Sequence, residues 1–170
     1  MRKIVAGFAS SVDGYIEGPN GEYDWIVADK EIDFAEQMKR YDTFLLGRVT
    51  YEKIIAAKYP PGKEIKNIVF SRSLKEVEKG YTLINSNIEQ HLLELKKQPG
   101  KDIAVFGGAS LLASLLDMKL VDELEIAVIP VLLGKGKPMV DVLKQHVPLT
   151  LSGVKTYGNG TIKQTYLIIK

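Results

Sequence analysis

The chain has 170 residues, 45% hydrophobic and 26% charged, with a formal net charge of +2. That length supports one domain over residues 1–170 with a sizeable core, and a charge so near balance, without dense Lys/Arg runs, gives no nucleic-acid footprint. There is no cysteine and there are only two histidines, His91 and His146, which excludes disulfides, thiolate zinc sites and thiol nucleophiles and leaves no His-rich metal site.

The apolar run after Arg2-Lys3 is too short for a signal peptide, and no segment reaches the ~18 apolar residues of a membrane helix, so a cytoplasmic protein without membrane partners is expected. Ile4 to Ala9 reads as a first buried strand, followed by Ser10-Ser11-Val12-Asp13-Gly14 and a polar loop through Gly18-Pro19-Asn20-Gly21. Asp29 is placed to cap a helix whose apolar positions Ile32, Ala35 and Met38 recur three apart, widened by Phe34 and Tyr41. Thr43 to Leu46 is a second apolar run ending on Gly47, with a helix from Thr50 to Ala57 that Pro60-Pro61-Gly62 stops. Lys66 to Phe70 predicts a third strand, ending at Ser71-Arg72-Ser73, and Tyr81 to Ile84 a short fourth. Ser86 and Glu89 stand in capping-box spacing before a helix that Pro99-Gly100 terminates. Ile103 to Phe106 predicts another strand, which runs into Gly107-Gly108 and a helix through Leu116. Leu124 to Val131 follows as a further strand. The last stretch alternates on both sides of Gly158-Asn159-Gly160, a β-hairpin pattern.

Continuous apolar strands alternating with helices predict an α/β protein with a mostly parallel sheet covered on both faces and a C-terminal hairpin. Ligands of such sheets gather at the carboxyl ends of the strands. Those ends hold Gly47, Arg48 and Thr50; Ser71 and Arg72; and Gly107, Gly108, Ala109, Ser110 and Leu111. Paired glycines allow close backbone approach, a helix start offers free N–H groups, and arginines form paired bonds to phosphate oxygens. The three corners together point to an anionic nucleotide.

Three segments, Gly47-Arg48-x-Thr50-Tyr51-Glu52, Asn67-Ile68-Val69-Phe70-Ser71-Arg72 and Phe106-Gly107-Gly108-Ala109-Ser110, resemble the cofactor-binding segments of dihydrofolate reductase-like proteins. Val121-Asp122-Glu123-Leu124, Pro130 to Pro138 with Gly134 and Gly136, and Ser11 to Ile16 look more like the reductase domain of bacterial riboflavin-biosynthesis deaminase-reductases. The resemblance implies a dihydrofolate reductase-like three-layer sandwich around a mixed eight-stranded sheet, with NADPH across the strand ends. By that resemblance Arg48 and Thr50 hold cofactor phosphates, Ser71 and Arg72 receive the 2′-phosphate, and Gly107-Gly108 with Ser110 and Leu111 takes the pyrophosphate. It also implies a small heterocyclic substrate, with 5-amino-6-(5-phosphoribosylamino)uracil as the named candidate and dihydrofolate as the alternative, and it allows a homodimer. A non-catalytic NADP(H)-binding protein is the reading from a different class.

Candidate acids are Glu31, the counterpart by gapless count of a substrate-binding carboxylate, and Asp13, in the loop after the first strand. Each is equally a first-turn or turn residue. Ser10, Trp25 and Phe34 are the candidate substrate contacts. Lys135 and Lys137 could partner a substrate phosphate. Ala127 stands where classical dihydrofolate reductases carry a threonine, and Leu112 where they carry an aromatic residue, both arguing against dihydrofolate.

Overall fold

Strand β1 (Ile4–Ser11) begins almost at the N-terminus and occupies the middle of an eight-stranded sheet. The structure, a computed structural model, describes residues 1–62 and 64–170. The sheet order is β5 (Tyr81–Ile84), β4 (Lys66–Phe70), β3 (Tyr41–Gly47), β6 (Asp102–Gly107), β1, β7 (Glu123–Ile129), β10 (Ile162–Ile168) and β9 (Leu149–Thr156). The strands from β5 to β7 run parallel, and β10 is antiparallel to both β7 and β9. The central strands are apolar on both faces because helices cover both.

One face carries Ile4, Ala6, Leu45, Ile68, Ile103 and Val105, packed with Leu92 and Leu95 of α3 (Ile88–Lys97) and Leu112 and Leu115 of α4 (Ala109–Asp117). On the other, Val5, Tyr41 and Ala104 meet Met38 of α1 (Phe34–Met38). There too Leu46 and Val69 meet Tyr51 of α2 (Arg48–Ala56). This is the expected three-layer arrangement, closed by the expected terminal hairpin. A two-stranded sheet of β2 (Tyr15–Glu17) and β8 (Lys137–Pro138) joins two segments that read as loops.

Two predicted caps are corrected. Asp29 caps no helix: its carboxylate accepts from the Glu31 and Asn159 amides, tying this loop to the hairpin turn, and Asp33 caps the short α1 instead. Asn87, in a left-handed conformation, precedes α3, so Ser86 is one residue too early for a capping box.

At the amino ends of the strands Arg40 gathers three carboxylates. Its Nε donates to Asp102 at 2.9 Å, Nη1 to Glu123 and Glu125 at 2.9 Å each, and Nη2 to Glu123 at 3.1 Å. These bonds from Arg40 hold Glu123 below its usual carboxylate range, against the effect of its burial. A carboxylate with a depressed folded-state pKa contributes stability above its unfolded value, which is lost as pH falls through the folded one. Glu123→Gln should therefore cost roughly 2 kcal/mol at pH 7, measured by urea denaturation, and should flatten the loss of stability on acidification below about pH 4.5. Equal destabilisation at pH 7 and pH 3 would contradict this role.

Candidate functional site

Strands β3 and β6 lie side by side, and each ends on glycine and feeds a helix. Neither α2 nor α4 has a side-chain cap at its N-terminus; the cap positions are Gly47 and Gly108. A Cβ on Gly47 would lie 3.4 Å from the Gly108 nitrogen, and one on Gly107, where φ is +138°, would lie 2.9 Å from Thr50 Oγ1. The bare Gly107 therefore lets Thr50 and the α2 start sit against the α4 start, so two sets of free N–H groups with partial positive charge lie together. A cleft of about 600 Å³ opens over them, lined by Gly47, Arg48, Thr50, Ser71, Arg72, Gly108, Ala109, Ser110 and Leu111. Ser71 Oγ accepts from the Ser73 and Leu74 amides and shapes the turn that carries Arg72. Arg48 shares its charge with Glu52 at 2.8 Å in an exposed pair along the helix. Such a pair is weak and easily given up to a ligand.

A second cavity, about 670 Å³, spreads over the α1 face of the sheet. Because side chains alternate, Val5, Gly7 and Ala9 share this face with Ala104, Phe106, Glu125, Ala127 and Ile129. Ile32, Phe34 and Met38 wall it on the α1 side, and Tyr157, Thr161 and Lys163 on the hairpin side. A register shift between Leu45 and Leu46 sets Leu46 opposite Gly107, and the exposed Phe106 ring stacks on Phe44 at 5.1 Å. Phe106 lines this cavity and Gly108 the cleft, so the two spaces abut across Gly107.

Residues 2–163 match the family described as the RibD C-terminal domain. The chain belongs to that family. It is 35% identical over 180 residues to the uncharacterized protein YyaP of Bacillus subtilis (strain 168), covering 98% of this chain and 95% of the relative. With the riboflavin biosynthesis protein RibD of Corynebacterium ammoniagenes it shares 25% identity, over 88% of this chain and 48% of RibD. Among solved structures, a Shewanella sp. PV-4 protein assigned to riboflavin biosynthesis superposes with TM-score 0.87, 22% identity and 99% coverage of each chain. Enterococcus faecalis dihydrofolate reductase, solved with NADP(H), superposes with TM-score 0.70 and 20% identity, over 99% of this chain and 97% of that one. The fold is therefore dihydrofolate reductase-like, and the RibD C-terminal family is one of reductases.

In this RibD-type domain nine of the residues expected to hold the cofactor line one cleft, and the tenth, Gly107, is not among its lining residues. The substrate-side expectations fare less well. Phe34 lines the cavity, but Ser10 is buried on the opposite face of β1, one residue out of phase with Ala9. Trp25 turns its indole to the Glu22 carbonyl at 3.2 Å, and it is the following Ile26 and Val27 that reach the cavity.

Neither predicted acid faces either space. Glu31 sits exposed in the loop before α1. Asp13 accepts from the Ser11 hydroxyl at 2.6 Å and from the Leu133 and Gly134 amides. Those bonds, the Ser11 hydroxyl foremost, lower its pKa, and its work is to pin the 133–134 turn. The carboxylates that do face the cavity are Glu36 and Glu125. Lys137 lines the strand-end cleft and not the cavity, with its Nζ 3.8 Å from Glu17. Strand alternation from Gly7 would have indicated Glu125 and Ala127; nothing local to Arg40 or Thr161 marks them.

Gly107→Ala puts a methyl group against Thr50 in a backbone region that L-residues resist. NADPH affinity should fall at least about tenfold, measured by calorimetry, and unchanged affinity would refute the close-approach role.

Proposed function

We propose that this chain is an NADPH-dependent reductase of a small heterocyclic substrate. The observation that supports it is at the end of β6, where Phe106 lines an apolar cavity large enough for a ring compound and Gly108, two residues on, lines a phosphate-type cleft. The residues present fit NADPH. Two uncapped helix starts suit a pyrophosphate, and Arg72 with Ser71 suits a 2′-phosphate. Lys137, whose Nζ lies 3.7 Å from where a Gly108 Cβ would be, adds positive charge beside the helix start. Bound there, the cofactor supplies a hydride.

This chain's own residues bind, orient and exclude water. Arg48, Arg72 and Lys137 hold anionic groups in the cleft. Phe106, Phe34 and Ile32 give the cavity apolar walls around the place where a ring would receive the hydride. Membership of the RibD C-terminal family supports reduction of the riboflavin-pathway type. Ala127 in the cavity floor leaves a dihydrofolate substrate without the hydroxyl that the resemblance would call for.

Two measurements test the reading. Arg72→Ala should weaken NADPH by about ten- to a hundredfold, the loss of a charge-assisted contact, while changing NADH less than about threefold. Equal losses would remove the 2′-phosphate role. NADPH oxidation should accelerate with at least one member of a panel of pyrimidines, pterins and quinones. NADPH binding without turnover across that panel would make the chain a binding module instead.

A further inference from the structure

We propose that the cavity of this chain takes an uncharged, flat ring compound carrying no phosphate, and that Thr161 reads a polar group on it. The inference rests on the reductase reading and names its substrate class. Its first support is charge. Four charged side chains line the cavity, Glu36, Arg40, Glu125 and Lys163, two of each sign. The two cations are already taken. Lys163 Nζ lies 2.6 Å from Glu125, and Arg40 is bound to Asp102, Glu123 and Glu125. A phosphate would have to separate Glu125 from both cations, and Glu123, held also by Lys3 at 3.3 Å, would still stand beside it. Burying an anion without a free cationic partner is strongly unfavourable.

The second support is shape and surface. Gly7, Ala9, Ala104 and Ala127 make a floor of small groups on which a planar ring can lie, and a Cβ on Gly7 would meet nothing within 4 Å. The exposed rings of Phe34 and Phe106 stand at its walls, placed for stacking. Its third support is an orphan. Thr161 is fully buried, lines the cavity, and its hydroxyl is the buried side-chain polar atom left without a partner among the described residues. An unsatisfied hydroxyl of this kind calls for an explanation, and a ligand group that pairs with it supplies one.

The test uses the full chain loaded with NADPH and two matched pairs, 5-amino-6-ribosylaminouracil and pyridoxal, each with and without its 5′-phosphate, together with menadione as a neutral bicyclic ring. Loading is verified first by NADPH fluorescence. Failure at that step defeats the reductase reading, whereas the ligand comparisons, made only on loaded protein, bear on the substrate class alone. Affinity by calorimetry and kcat/KM by NADPH absorbance should favour the unphosphorylated member at least about tenfold. A preference for the phosphate ester, equal treatment of a pair, or binding of none of the neutral compounds overturns the proposal. Glu125→Gln releases Lys163 and should raise affinity for the phosphate esters about tenfold; no gain overturns the charge argument. Thr161→Val keeps the shape and removes an unsatisfied hydroxyl, so the ligand-free protein should melt no lower while KM for the neutral ligand rises about fivefold. A lower melting temperature with unchanged KM would make the hydroxyl purely structural.

Discussion

The structure depends on one backbone contact, where the end of β3 meets the end of β6 at Gly47 and Gly107-Gly108. A Cβ at Gly47 would approach the Gly108 nitrogen to 3.4 Å, and one at Gly107 would press on Thr50. With no side chain at Gly107, the two parallel strands end beside each other and start two helices there. Partial charges at helix starts act over roughly one turn, so only this proximity lets both fields bear on one ligand. The sheet order then does the rest. With β6 between β3 and β1, the strand that ends at the cleft also supplies Ala104 and Phe106 to the neighbouring cavity.

Charge is partitioned between the two spaces. At the strand ends the basic groups are available: Arg72 is exposed, and Arg48 engages only a surface partner four residues on. On the sheet face the basic groups are committed. Burial and the nearby Glu125 push Tyr41 up to about 12, and the adjacent Arg40 is raised in turn by its bonds to Glu123, so both stay protonated across the physiological range. The cluster behaves as a fixed, internally neutralised base to the cavity rather than as an anion receptor. An anion is thus guided to the cleft and not onto the floor.

The strand-end half of the candidate site was legible in the sequence because its residues follow directly on buried strands. A short apolar run ending on a small residue announces both the strand and the corner after it, as Thr43 to Leu46 did before Gly47 and Lys66 to Phe70 before Ser71-Arg72. The other half was not legible, because its parts meet only through long-range pairing. Glu125 faces Gly7 across β7 and β1, and Lys163 faces Ala127 across β10 and β7. Asp13 shows the same limit in reverse. Its Asp-Gly turn was visible, but the amides that claim its carboxylate lie 120 and 121 residues further on. Ser10 misses the cavity by a single step of strand alternation.

That division has a physical consequence for how such a domain can change its substrate. Gly107 of the cleft is fixed by contact: at its φ of +138° a Cβ would lie 2.9 Å from Thr50 Oγ1. The floor carries no comparable obligation. Gly7 has open space where a Cβ would be, and Ala9 and Ala127 face the same cavity rather than the helical core. Substitutions there alter the shape and polarity presented to a substrate without cavities or overpacking in the core, the usual causes of large destabilisation. A fold shared with both riboflavin-type and dihydrofolate reductases can therefore keep the strand-end cleft under steric constraint at Gly107 while the floor beside it drifts from one ring chemistry to another.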